Sequence, residues 1–325
     1  MSTVTAGSTT AHTKRHGWWW KTLVVGFVLW GLTVWVTAVT LNSNLIPTLI
    51  LLGSFLVPFC VVMFVLERVS GNLSTIQVIR AFVIGGICGV LGASLLESDL
   101  KSSVFTYVGV GFIEEFVKGA ILLVVGWRIL PKTAGQGALL GAAVGAGFAA
   151  FESAGYAFNS VITAQGLDLV TMLQTEALRA ILTPVGHVLW TAILGAALFG
   201  AARGRKHYRF AFSIIGAYVG VALLHGLWDS LGGLTTLLAL LITGTTIADL
   251  KFGFITAGSQ AHAASLASIL YVVGIVITAV IGILVLWLIL RHHHKADRAH
   301  AVTTASGYPD PTPVPSSQPV GPEEA

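Results

Sequence analysis

The sequence predicts an all-α fold, a polytopic membrane helix bundle of about eight transmembrane helices. Hydrophobic residues are 55% of the 325 and charged residues 10%, against roughly 25% charged in ordinary soluble domains. Mean hydropathy is +0.84. The apolar runs reach the ~20 residues that a helix needs to cross a bilayer. The formal net charge of +4 would suit nucleic acid, but the basic residues form no single patch. They alternate with the apolar runs, as membrane topology requires. The partner this implies is the lipid bilayer, with no nucleic acid.

Residues 1–17 are polar and rich in Thr and Ser, so a disordered cytoplasmic N-terminus is expected. The membrane-embedded domain covers 18–290. Its first span, Trp18–Leu41, follows Lys14 and Arg15 and opens on the interfacial belt Trp18–Trp20. It is too long for a signal-peptide core and lacks a clear small-residue cleavage site, so it reads as an uncleaved span. Further spans are expected at Leu45–Leu66, Ile76–Leu96, Val104–Trp127, Gly137–Phe158, Ala180–Gly200, Phe210–Leu231 and Ala264–Leu290. A disordered cytoplasmic tail is expected over 291–325, basic at first and rich in Pro, Ser and Glu from 296. His292-His293-His294 reads as part of that basic juxtamembrane segment rather than a metal site. Cys60 and Cys88 both lie in apolar runs and read as small buried hydrophobes, not a disulfide.

The positive-inside rule sets the orientation. Of 18 Lys and Arg residues, only Lys101, Arg179 and Lys251 fall in outer segments, and Lys118 falls inside a span. The rest fall in inner segments, which places both termini in the cytoplasm and the chain in the plasma membrane. Between spans seven and eight, Leu231–Thr243 is apolar and Thr245–His262 weakly polar. One more span there would put Arg291–Arg298 outside, so a re-entrant or interfacial element is expected over 231–263.

The spans carry charges that packing does not explain. Glu114, Glu115 and Lys118 sit in the middle of span four, where an ionisable group costs several kcal/mol on insertion scales. At ~1.5 Å rise per residue the glutamates lie about 15 Å below the outer end, Glu152 of span five about 9 Å and His187 of span six about 10 Å. His225 and Asp229 lie in the outer third of span seven. A shared depth on four consecutive spans predicts one polar chamber between them. Glu114 and Lys118 are four apart on one helix face, as are His225 and Asp229; Glu115 points ~100° away. Small residues, among them Gly111, Gly119, Gly141 and Gly145, let the helices approach closely. The catalytic core is therefore placed at about 104–231.

Glu114-Glu115-x-x-Lys118, Phe148-x-x-x-Glu152 and His225-x-x-x-Asp229, in this order on successive spans, resemble the PrsW family of intramembrane proteases. That family is related to the superfamily of CAAX-processing endopeptidases and bacteriocin-immunity membrane proteins, whose members show His where this chain has Glu152. The resemblance covers roughly Val104–Leu231. It implies site-specific cleavage of a single-span membrane protein, such as an anti-sigma factor.

Peptide hydrolysis needs an activated water, an acid for the leaving amine and donors for the oxyanion. A carboxylate in a low-dielectric site is a stronger base, and Glu114 is the candidate, with Lys118 keeping it ionised. His225 and His187 could donate to the oxyanion or protonate the amine; Asp229 could orient His225. Glu115, Glu152 and Lys118 complete the candidate set. Zinc would need three protein ligands and an open position, which His187, His225 and Glu152 (or Asp229) could supply. No His-Glu-x-x-His is present, and the better-understood members of the superfamily look glutamate-dependent, so the metal-free mechanism is preferred. Phe148 and Phe151 are expected to pack the chamber wall, while Glu97, Asp99 and Asp168 need no special account.

Other functions fit parts of the pattern. A proton-coupled transporter also holds carboxylates and histidines at depth, but it usually shows internal repeats, and none is found. A catalytically inactive regulatory or binding protein would not need the full polar set. Lys118 as a mere ion-pair partner and His187 as a packing histidine behind Pro184 remain open from sequence.

Overall fold

The structure, a computed structural model, describes residues 17–68, 73–101, 103, 105–246 and 257–306, the backbone alone for 257–259 and 294–306. Expectations for 1–16, Val104, Lys251 and 307–325 lie outside the described residues. The chain order is α1 (Trp18–Thr40), a 3-10 turn at Ser43–Leu45, α2 (Ile46–Arg68), α3 (Thr75–Glu97), α4 (Thr106–Val125) and α5 (Ala134–Val161). A two-residue antiparallel hairpin follows, β1 (Ile162–Thr163) with β2 (Gly166–Leu167). Then come α6 (Leu169–Leu182), a 3-10 turn at Thr183–Val185, α7 (His187–Ala202), α8 (Phe212–Ile242) and α9 (Ala257–Ser306).

Among the described residues, seven stretches are long and apolar enough to cross a membrane, the α6–α7 pair counting as one. Helix α4 is also long, at 20 residues, but carries Glu114, Glu115 and Lys118. The chain is thus a multi-pass membrane protein, an all-α bundle of seven to eight long apolar helices.

Local chemistry sets the helix ends. Ser74 and Gln77 form a reciprocal capping box at α3, and the side chains of Thr133 and Asp168 cap α5 and α6, each satisfying amides that a helix leaves unpaired. The Glu67 carboxylate accepts from the backbone amides of Gly17, Trp18 and Trp19, so the end of α2 caps the start of α1. Lys132 is fully buried and donates to the carbonyls of Gly126, Trp127 and Ile129 at 2.9, 2.9 and 3.0 Å. It gathers the carbonyls of the turn that follows α4 and so fixes the link to α5. Burial lowers the pKa of Lys132.

Helix α5 is the axis of the bundle, buried without interruption from Gln136 to Ala150. Its Ala and Gly residues let neighbours reach the backbone, the usual means of tight packing where hydrocarbon surrounds the helices. A Cβ at Gly145 would collide with the carbonyl of His187 on α7. A Cβ at Gly111 of α4 would collide with the carbonyl of Ala222 on α8. These two contacts bring the helix of Glu152 onto that of His187, and the helix of Glu114 and Glu115 onto that of His225.

Four expectations need correction. Span six is not one helix over Ala180–Gly200: α6 begins at Leu169, and the chain breaks at Thr183–Val185 before α7 begins. Pro184 has no N–H to continue the ladder, and Gly186 adopts a non-helical conformation (φ −97°, ψ −122°). Span seven does not end at Leu231, because α8 continues to Ile242; no proline interrupts it, and Gly232-Gly233 alone do not break it, while residues 247–256 of the element expected over 231–263 lie outside the described residues. The tail is helical beyond 291 as far as Ser306, since Arg291–Ser306 contains no proline or glycine. Cys88 is exposed rather than buried, while Cys60 is buried; both are free thiols.

Candidate active site

The site is built outward from Lys118, one turn below Glu114 on α4. Its side chain is wholly buried, and Nζ lies 2.6 Å from Glu115 Oε1, 3.2 Å from Glu114 Oε2 and 3.0 Å from His187 Nδ1. It also stands 4.3 Å from the Phe148 ring centre. In a bilayer such a cation is tolerable only when paired this closely. Two carboxylates, an imidazole and an aromatic face supply that pairing.

The histidines are oriented by different carboxylates. His187 Nε2 lies 3.0 Å from Glu152 Oε2, and His225 Nδ1 lies 3.0 Å from Glu115 Oε1. The remaining nitrogens turn inward: His187 Nδ1 is 3.8 Å and His225 Nε2 3.6 Å from Glu114 Oε2. Asp229, one turn beyond His225, places Oδ2 3.3 Å from His225 Nε2. Glu114, His187 and His225 each offer an atom within 4.8 Å of the others. Thus α4, α5, α7 and α8 bring all seven sequence-predicted residues together. Glu152 lies on the far nitrogen of His187 and is not in the convergent set of three.

Several neighbours went unnoticed in the sequence. Arg179, expected in an outer loop, lies on α6, pairs with Glu152 and donates to Ser153 Oγ at 2.8 Å. Its signal was an arginine two turns before His187, hidden by its closeness to the expected membrane surface. Trp190 stacks on His225 with ring centres 4.5 Å apart and meets His187 edge-on at 5.4 Å, walling the imidazoles from lipid. Its spacing from His187, three residues on, was the available signal. Glu97 needs an account after all: it lines the cavity over the site. Phe148 packs that cavity as expected, but Phe151 faces away and packs on Phe55 of α2, ring centres 4.9 Å apart.

The cavity, about 490 Å³, is lined by Glu97, Tyr107, Glu114, Glu152, Arg179, His187, Trp190 and Asp229 among others. It brings acids, a guanidinium and an imidazole to one space with room for water and a peptide segment, the equipment for acid–base hydrolysis.

The sequence model of a family described as PrsW family intramembrane metalloprotease matches residues 19–257. No curated protein and no solved structure matches the chain.

Arg179 positions Glu152, and through it His187. Replacing it should lower turnover by ~10–100-fold, the scale seen when a partner that orients a metal-ligating histidine is removed. Cleavage by Arg179→Ala, set beside partial recovery in Arg179→Lys, is the measurement. Full activity in Arg179→Ala would remove Arg179 from the site.

Proposed function

The chain belongs to the PrsW family of intramembrane metalloproteases, and on that premise we propose that it hydrolyses a peptide bond of a single-span membrane protein, such as an anti-sigma factor, using water activated by Glu114. That the protein is an intramembrane protease rests on the family match and on the buried Glu114–His187–His225 cluster. The observation that carries the finer reading is that one oxygen of Glu114 faces the inward nitrogens of both histidines.

In this reading Glu114 accepts the proton of the attacking water, and Lys118 keeps the carboxylate ionised. Glu115 accepts from His225 Nδ1–H; with the ring protonated between Glu115 and Asp229, its Nε2–H, which rests on Asp229, is the donor that turns to the developing oxyanion. Glu152, anchored by Arg179, accepts from His187 Nε2–H and so leaves the lone pair on Nδ1, which takes from Glu114 the proton abstracted from water and passes it to the leaving amine.

The donor set also fits a divalent ion of the zinc type. One nitrogen of each imidazole faces Glu114 and the other rests on a carboxylate, the arrangement that orients metal-ligating histidines. Glu114, His187 and His225 would hold it, rather than the set with Glu152. Bound there, it would supply a Lewis acid and a water ionised near neutral pH. Lys118 would have to give up His187 Nδ1 and remain on Glu115. Because the ammonium takes that position, Glu114 as base is the first reading.

Glu114→Gln keeps size and hydrogen-bonding reach but cannot take a proton. It should insert normally and lose cleavage of a co-expressed single-span substrate. Chelation should leave the wild type active. Activity that vanishes with a chelator and returns with Zn²⁺ would transfer Glu114 to the ligand set. Full activity in Glu114→Gln would defeat both versions.

We assign the protein to the plasma membrane with both termini cytoplasmic, on the partition of basic residues. Reporter fusions after Arg205 and after Arg298 should both read cytoplasmic; an external signal at either position overturns the orientation.

A further inference from the structure

Helix α6 has two working faces. Arg179, Leu182 and Thr183 line the active cavity. Glu176, Ile181 and Pro184 line a second cavity on the opposite side, about 410 Å³, closed by Trp30 of α1 and by Gly53 and Leu56 of α2. This groove is apolar except for Glu176. Glu176 is 2% exposed; its Oε2 accepts from Trp30 Nε1 at 2.9 Å, and its Oε1 has no hydrogen-bond partner. Gly53 leaves the space the carboxyl fills, since a Cβ there would overlap it. Trp30 lies about 18 Å along α1 at ~1.5 Å per residue, so the groove opens within the hydrocarbon. A buried polar group without a partner costs free energy that a partner would recover.

We propose that the groove between α1, α2 and α6 is the docking site for the substrate's transmembrane segment, which it holds by a hydrogen bond between Glu176 and a polar side chain (Ser, Thr, Asn or Gln) of that segment. Three observations select this occupant. A lipid acyl chain would fill the groove but leave Oε1 unpaired. The groove is separated from the active cavity by the single helix α6, so a docked segment lies one helix away from Glu114. And α6 is joined to α7 through the 3-10 turn at Thr183–Val185 rather than by continuous helix, so a segment bound to its outer face reaches the site around a break. The proposal rests on the reading that the substrate is a membrane protein.

The test places the photocrosslinking residue p-benzoylphenylalanine at Ile181, which is 73% exposed on the groove, in the full chain reconstituted in lipid nanodiscs. The probe is a Leu/Ala transmembrane peptide of ~21 residues with one central Asn, against its Asn→Ala counterpart. The Asn peptide should crosslink roughly 3–30-fold more, the scale of one interhelical hydrogen bond in a membrane. Glu176→Leu should abolish that preference and Glu176→Gln should keep it. Ala180→Trp, which fills the groove and leaves Glu176 in place, should depress crosslinking of both peptides. Equal yields for the two peptides, a preference that survives Glu176→Leu, or crosslinking only to a second copy of the chain would each overturn the proposal. Because the readout needs no cleavage, lost docking with intact proteolysis sinks the groove alone. Docking without proteolysis sinks the hydrolase reading instead.

Discussion

The rest of the structure depends on one buried ammonium. Lys118 Nζ lies within 3.2 Å of both Glu114 and Glu115, far from any water layer if α4 crosses the bilayer. A lone charge at that depth is costly, and a pair broken on one side leaves the other stranded. The constraint propagates outward. Glu115 is held by Lys118 and in turn holds His225; Glu114 is held by Lys118 and faces both imidazoles. A third partner of the ammonium, His187, comes from a different helix and ties α7 into the same network. The polar chamber is therefore a closed set of mutual neutralisations, and the helices that carry its members have few alternative registers.

Close backbone approach makes the closure possible. Gly145 admits the carbonyl of His187 and Gly111 that of Ala222; without a side chain at either position, the carboxylates and imidazoles come within hydrogen-bond reach. The break before α7 serves the same end. Pro184 and Gly186 end one helix and start another at His187, so the imidazole stands at a helix N-terminus beside the cavity and not along a continuous lipid-facing rod. Arg179, on the far side of that break, can then turn back to Glu152.

The family was legible in the resemblance of three motifs, and the membrane architecture and the seven polar residues that meet in the chamber were legible because they follow from cost: acidic and basic side chains inside apolar runs demand partners, and their common depth says where. What was not legible is pairwise. Nothing in the spacing tells that Glu115 rather than Asp229 takes His225 Nδ1, or that Glu152 backs His187 and stands outside the convergent three. Arg179 escaped because an arginine near a membrane surface is ordinary by itself. The continuation of α8 to Ile242 escaped because charge counting sees only where Lys and Arg lie, and Leu231–Ile242 contains neither. Glu176 passed without notice for the same reason that made Glu114 conspicuous in reverse: it stands on an amphipathic segment, where a single acid looks like a solvated face.

The central claim is that this membrane-embedded chamber adds water across a peptide bond. Its most direct measurement is mass spectrometry of a single-span membrane protein incubated with the purified protein in proteoliposomes prepared in oxygen-18 water. The account predicts cleavage, with solvent oxygen-18 in the new C-terminal carboxyl of the product. An intact substrate, or a cleaved product whose new carboxyl carries no solvent oxygen, would contradict it.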